Sequence, residues 1–394
     1  MSPLGYAVTR PILEAATDAA LGFAHLPLPT DIPRIHTKGP DADRVLLIGT
    51  AAVAGVGVVS HQLGLGGHLA RQISEITGRG VDLEVEGSVT MTIPDAIRVL
   101  SDRSLSQFDA IVLVLGSRES IGFQPMQIWK SKLQELLDAV CGPCGRSRVF
   151  LVATPSGYPY ASLLAPLAGR LRRHVDRQNA VSRRVCADVL GVTFLPLAIS
   201  DEPGVLELGS GVYGEWAESL APSIALQLVG RSRRSRQVDP VDESARQAAL
   251  DALLVVGSES DDRIDTIART ARDLLGASGA SVTFLDHDRQ WIKSAISMSD
   301  RDTARASAFC NITIRRAELF VVEDAAADDA FAGHPWVVGE EQVRFYAGYP
   351  VEAPNGERVG ALCVVDTKPR RFSKSEASLL RDLALRVQEL VWAG

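Results

Sequence analysis

The chain has 394 residues, 46% of them hydrophobic, and a formal net charge of −7 at pH 7. That length exceeds what one core organises comfortably and points to two domains, and the composition is that of folded rather than disordered protein. The acidic balance disfavours a nucleic-acid surface, the five cysteines fit a reducing compartment better than a disulfide framework, and no secretory leader or run of ~20 apolar residues stands in the sequence, so a cytoplasmic protein without membrane contact is expected.

In chain order, residues 10–24 carry a modest helical pattern (Ile12, Leu13, Ala16, Ala20, Leu21), and the Pro-rich stretch that follows to Pro40 cannot be helical. Residues 1–40 therefore read as an extension packed on the first domain. From 41 to 229, short apolar runs alternate with helical patterns. Strands are expected at Val45–Ile48, Asp82–Val85, Ala110–Leu115, Val149–Ala153 and Val192–Leu195, with helices around Leu69–Ile76, Ile93–Leu100, Met126–Val140, Leu163–Leu190 and Tyr213–Leu228. That order implies a three-layer α/β domain with a parallel sheet.

Before residue 240 the chain has 23 Lys and Arg against 23 Asp and Glu, and from there on 18 against 25, so the excess negative charge belongs to a second unit. The basic stretch Arg231, Arg233, Arg234 and Arg236 lies between the two, and residues 230–242 read as a solvated linker. From 243 to 394 helices at Ala245–Val256, Arg263–Leu275 and Lys374–Val391 enclose strands at Ala280–Asp286, Trp291–Ala295, Leu319–Val322, Val343–Tyr349 and Val359–Val365, an α+β plan.

The first domain opens on Val-Leu-Leu-Ile-Gly-Thr-Ala-Ala-Val-Ala-Gly from Val45 to Gly55, a buried strand feeding a glycine-bearing loop, where open α/β sheets place their chemistry. It resembles the Gly-Asp-Ser block of the SGNH (GDSL) hydrolases, with Gly49 and Gly55 in register but Thr50-Ala51 in place of Asp-Ser. Gly87 matches the second-block glycine of that family, and Gly116-Ser117-Arg118-Glu119 matches its Gly-x-Asn-Asp block with Arg118 where Asn belongs. Between Gly204 and Ser219 there is neither Asp nor His for the last block. The resemblance thus implies the fold without the nucleophile, base and Asn donor that ester hydrolysis by this route needs, and a domain with no catalytic residues. Two readings of the remaining cleft stay open. Gly49, Thr50, Ala51, Gly87, Gly116 and Arg118 could hold an anionic ligand, or Arg118 could simply pair with Glu119 or another carboxylate.

Other signals in this half are weak. Cys141-Gly142-Pro143-Cys144 copies a redox dithiol but follows a helix and precedes a strand, the reverse of the order that activates such a thiolate, so a turn is expected. The glycines from Gly55 to Gly67 do not meet the dinucleotide spacing, and His61 and His68, seven apart, lack a third metal ligand. No metal and no cofactor is expected.

The second unit is similar to the GAF domains common in bacterial signalling proteins. The motifs that carry the resemblance are Asp286 to Ser294, Ala308-Phe309-Cys310, Val322-Glu323-Asp324-Ala325, Asp328-Asp329-Ala330-Phe331, Arg344 to Gly348, Gly360 to Asp366 and Pro369-Arg370. Asn311-Ile312-Thr313-Ile314 stands where Ala-His-Ala-Ile is usual. Trp291, Phe309, Phe345 and Tyr346 are expected on one face of the sheet, filling a core or, with Cys310 and Cys363, lining a small-molecule pocket. The two cysteines are expected to be buried, inert thiols. The resemblance also implies a signal passed on; with no output domain in this sequence, self-association through the terminal helices or a separate protein partner is expected.

The reading is a non-catalytic regulatory protein, an SGNH-like domain joined to a GAF sensor. The alternative is an unconventional ester hydrolase that recruits Thr50 or Ser88 with His61 or His68 as base.

Overall fold

The computed structural model describes residues 25–101, 103, 105–142, 147–155, 168–197, 208–229, 242–298 and 302–393. The chain divides into two compact units, 1–234 and 235–394. The expected helix at 10–24, the basic run of the linker, and Pro143 and Cys144 lie outside the described residues.

In the first unit the strands are β1 (Arg34–His36), β2 (Asp43–Gly49), β3 (Val81–Gly87), β4 (Ala110–Val114), β5 (Arg148–Val152) and β6 (Val192–Leu195). They form one sheet in the order β1-β3-β2-β4-β5-β6. All neighbours from β3 to β6 pair parallel, and only the edge strand β1 runs antiparallel, Ile35 facing Leu83. The expected extension therefore supplies a strand. Its three residues sit in a Pro-rich segment with too few side chains to show a period of two, which is why sequence patterning passes over it.

Helices α1 (Leu65–Thr77), α2 (Ile93–Ser101), α3 (Ser117–Ile121), α4 (Met126–Cys141), α5 (Ala168–Ala187) and α6 (Ser210–Val229) complete this unit. Strand alternation divides the packing in two. Val45, Leu47, Leu83, Val112 and Phe150 meet Leu69 and Ile73 of α1 and Trp216 and Leu220 of α6. Leu46, Ile48, Ile111, Leu113 and Leu151 meet Ile93 of α2, Leu133 and Leu137 of α4 and Val185 of α5. This is the three-layer α/β architecture expected. The parallel strands follow a doubly wound order with β2 innermost between β3 and β4, so the switch point lies at the carboxyl ends of β2 and β4.

The second unit begins with α7 (Glu243–Ala252), capped by Asp242, whose carboxylate accepts the N–H groups of Ser244 and Ala245. The last linker residue is thus part of the domain. Then come α8 (Asp262–Leu275), β7 (Gly279–Asp286), β8 (Arg289–Ile296), β9 (Thr303–Ala304), α9 (Phe309–Thr313), β10 (Phe320–Val322), α10 (Pro335–Val338), β11 (Phe345–Glu352), β12 (Arg358–Asp366) and α11 (Lys374–Ala393). The sheet is antiparallel throughout, in the order β10-β11-β12-β7-β8-β9. One face packs on the long helices: Val282, Phe284 and Leu362 against Ala268 of α8 and Leu380, Leu383 and Val387 of α11. The other face carries Leu285, Tyr346 and Cys363 under α9 and the loops.

Gly116 follows β4 with φ +106°, and a Cβ there would stand 2.6 Å from both Thr154 Oγ1 and Gln178 Nε2. Strain and overlap act together, so Gly116→Ala should destabilise the first unit by about 1–3 kcal/mol, read as a lower urea midpoint of its unfolding transition.

Candidate functional site

The first candidate is the carboxyl edge of the parallel sheet. Gly49 closes β2 where a Cβ would fall 2.2 Å from the Val114 carbonyl oxygen, and the next N–H, that of Thr50, donates to that same oxygen at 3.1 Å. The chain then turns tightly: the Thr50 carbonyl accepts from Val53 and Ala54 at 2.8 and 3.0 Å, and that of Ala51 accepts from Val56 at 3.1 Å. Gly55 and Gly57 hold positive φ, Gly57 donates to the Pro27 carbonyl, and the Tyr213 hydroxyl donates to the Val56 carbonyl at 2.6 Å. Gly87 presses on this turn, since a Cβ on it would lie 2.5 Å from the Ala54 nitrogen.

Gly49 and Gly87 end the neighbouring strands β2 and β3 and Gly116 follows β4, so these glycines and their sequence neighbours Thr50, Ala51 and Arg118 lie along the carboxyl edge of the sheet. Thr50 and Ala51, however, are only 3% and 4% exposed. Beside them lies a buried polar network that sequence reasoning missed. Gln178 Nε2 donates to the Gly116 carbonyl at 3.0 Å, Ser120 Oγ donates to Gln178 Oε1 at 2.9 Å, and Asn179 exchanges two hydrogen bonds with the Thr154 backbone. Polar residues on a helix carry no period that marks them as interior, which is why α5 gives no such signal. Glu119 is buried and its carboxylate accepts the Ile93 N–H at 3.3 Å. Arg118 is half-buried, and its charge helps hold the Asp95 carboxyl below the usual range, behind the dominant hydrogen bond from Thr92.

The candidate bases have partners of their own. His68 Nε2 stands 2.9 Å from Ser210 Oγ, and the imidazole titrates below its ordinary value because burial and Arg71 disfavour its charge. His61 is lowered by burial too, against Asp31. The two do not share a helix, because Gly64 caps the short turn at His61 and α1 starts after it. Ser88 Oγ is 3.3 Å from Thr90 Oγ1. Among the described residues no group of three or more His, Cys, Asp or Glu is placed to hold a metal ion.

The second candidate lies on the loop-covered face of the antiparallel sheet, and here the structure corrects an expectation. Phe345 and Tyr346 are consecutive on β11, and consecutive strand residues point to opposite faces. Phe345 packs on the helical side against Phe372, and Trp291 lies on that side beside Phe284, with ring centroids 5.5 and 6.3 Å apart. Neither belongs with Phe309 and Tyr346. Those two stack in a column, Phe331–Phe309–Tyr346, with centroids 4.9 Å apart at each step and planes within 18°. His334 covers Phe309 at 4.4 Å, and burial keeps its imidazole below the usual titration range.

At the foot of the column the Tyr346 hydroxyl meets Thr313 Oγ1 at 2.7 Å and donates to Cys310 Sγ at 3.4 Å. Gly348 makes room for it, because a Cβ there would fall 2.3 Å from the Tyr346 oxygen. Outward from the column, Ile312, Arg316, Leu319, Phe320, Asp328 and Phe331 line an open groove of about 600 Å³. The Arg316 guanidinium lies 4.7 Å over the Phe320 ring, and Phe320 in turn stands 5.8 Å from Tyr346. A planar apolar group fits such a wall, with Arg316 and Asp328 offering opposite charges at the rim. Phe320 opens the three-residue strand β10 and Arg316 lies in the loop before it, segments too short to show a period, so only the fold decides which way each faces.

The entry of α7 is tied to the same side of the domain by charge. Glu243 accepts from Arg305 at both oxygens and from Arg246, and these hold its carboxyl down to about 2 against burial. A lowered carboxyl stabilises the fold fully above its unfolded value near 4.5 and loses that contribution as pH falls toward 2. Glu243→Gln should therefore be less stable than the parent at pH 7, with the gap between their thermal midpoints closing between pH 4.5 and 2.

Residues 259–389 match the family model of the GAF domain. Over 131 residues the chain is 37% identical to a cyclic di-GMP phosphodiesterase from Pseudomonas aeruginosa, a match covering 33% of this chain and 22% of that protein, so it spans about a fifth of the curated relative's length. Among solved structures it is similar to the GAF domain of an Acinetobacter phosphoenolpyruvate-protein phosphotransferase (19% identity, 38% of this chain and 93% of that one, TM-score 0.30). It is also similar to a carbohydrate acetylesterase from Sinorhizobium meliloti (14% identity, 47% and 99%, TM-score 0.38) and to a type II free methionine-R-sulfoxide reductase from Thermoplasma acidophilum (14%, 33% and 90%, TM-score 0.29). Among the described residues no helix is long and apolar enough to cross a membrane.

Proposed function

We propose that this chain is a cytoplasmic, non-catalytic regulatory protein in which the GAF domain receives a small molecule and the α/β domain acts as a binding platform. The observation that carries the reading is the groove of about 600 Å³ beside the Phe331–Phe309–Tyr346 column, in a domain that matches the GAF family. Its aromatic wall and the Arg316 guanidinium suit a planar molecule with an acidic group. Phe331→Ala and Arg316→Ala should each weaken such a ligand at least tenfold, read as loss of the thermal shift that a library of planar carboxylates and nucleotides gives the parent. A shift retained in both variants would remove the groove from the account.

The non-catalytic part of the proposal is supported by Ala51 at the nucleophile position, 4% exposed within a tight turn, and by His68 facing Ser210 rather than Thr50 or Ser88. A chromogenic acetyl ester should be turned over no faster than in buffer. Turnover abolished by Thr50→Ala or His68→Ala would establish the hydrolase alternative instead.

Self-association belongs to the same proposal in a narrower form. The apolar stripe of α11 is spent within its own domain, where Leu380, Leu383 and Val387 are buried, whereas Leu254 and Leu274 near the ends of α7 and α8 are 82% and 63% exposed. These two leucines are the apolar surface on which a homodimer or a separate signalling partner would rest.

A further inference from the structure

Cys310 and Cys363 lie on different elements, α9 and β12, separated by 53 positions in sequence, yet their Sγ atoms stand 3.9 Å apart. Both are buried, at 2% and 1% exposure. A buried thiol in purely apolar surroundings is inert. These two are not in such surroundings. The Tyr346 hydroxyl donates to Cys310 Sγ at 3.4 Å, and Ser281 Oγ lies 3.1 Å from Cys363 Sγ. In the sheet register Cys363 stands between Ser281 and Gly348, and the missing side chain at Gly348 opens the space that the Tyr346 hydroxyl occupies.

The pair is also asymmetric. The contact with Cys363 pulls Cys310 below the ordinary thiol range, helped by Thr283 and Tyr346 and opposed by burial, whereas Cys363 is pushed up. Cys186 supplies the contrast within the same chain: it is buried, and burial alone raises it to about 11.

We propose that Cys310 and Cys363 form a peroxide-reactive dithiol that closes to a disulfide beneath the ligand groove. Cys310 thiolate attacks one oxygen of hydrogen peroxide; an S–O bond forms, the O–O bond breaks, and the departing hydroxide takes a proton and leaves as water. Cys363 sulfur then attacks the sulfenic sulfur, the S–S bond forms, the S–O bond breaks, and the second hydroxide leaves as water with the Cys363 proton. The two thiols lose two electrons, and the peroxide gains them. Closure shortens the sulfur separation from 3.9 Å to about 2.0 Å, so Cys310 and the five-residue helix that bears it move toward β12. That helix also carries Phe309, the centre of the aromatic column, and Ile312, a wall of the groove. The oxidation state of the pair is thereby coupled to the shape of the groove, whether or not the groove's ligand is the one suggested above.

The test uses the full chain with Cys141→Ser and Cys144→Ser, which removes the other close cysteine pair in sequence. After a tenfold molar excess of hydrogen peroxide and alkylation of free thiols under denaturing conditions, peptide mapping should show Cys310 linked to Cys363, a mass lower by two hydrogens, reversal by dithiothreitol, and Cys186 still alkylated. In Cys363→Ser, Cys310 should instead accumulate as a sulfenic acid trapped by dimedone. Recovery of Cys310 and Cys363 as free thiols, or oxidation of Cys310 to sulfinic acid without the cross-link in the chain that retains both, would overturn the proposal. The mapping of that chain stands independently of how well the Cys363→Ser variant folds.

Discussion

Successive residues of a strand point to opposite faces of its sheet, and in the C-terminal unit this one constraint separates Phe345 from Tyr346 and with them two kinds of interior. Phe345 joins an apolar layer closed by α8 and α11, with Leu380, Leu383 and Val387 supplying buried area worth about 1.5–3 kcal/mol per side chain. Tyr346 joins a layer of aromatic rings, hydroxyls and thiols closed by a five-residue helix and loops. The first layer is a core in the ordinary sense. The second is assembled from short segments, and its groove and its paired cysteines lie within one side chain of each other through Tyr346, Phe320 and Cys310.

In the N-terminal unit the corresponding constraint is close approach of backbone. Gly49, Gly87 and Gly116 each stand where a Cβ would overlap a neighbouring strand, turn or side chain, at 2.2, 2.5 and 2.6 Å. These glycines fix how the ends of β2, β3 and β4 meet at the switch point, and the Gln178–Ser120–Gly116 network fills the space beside them. Thr50 and Ala51 are buried packing groups at this edge.

Much of this was legible in the sequence for a physical reason. Parallel strands buried on both faces read as continuous apolar runs, so β2 and β4 stand out, and α8 and α11 show a full helical period. Gly49, Gly87 and Gly116 end or follow adjacent parallel strands, so strand order brings them to one edge, whereas Phe309, Cys310, Tyr346 and Cys363 share the loop-covered layer only through the fold of the second unit. Strand β1 was missed because three residues among prolines show no alternation. Trp291 and Phe345 lie on the opposite face from Phe309 because adjacent strand residues alternate faces, a parity that the motifs alone do not convey. Gln178, Arg316 and Phe320 gave no signal: whether a polar residue on a helix or a ring on a short segment faces inward is decided by tertiary contacts.

The central claim is that the layer around Phe309 and Tyr346 takes a small molecule. Native mass spectrometry of the full chain, purified gently without added ligands, tests it most directly. The account predicts a bound mass that is released on denaturation, persists in Arg118→Ala and is absent from Phe331→Ala. A bound mass that survives Phe331→Ala but is lost in Arg118→Ala would place the ligand in the other unit and contradict the account.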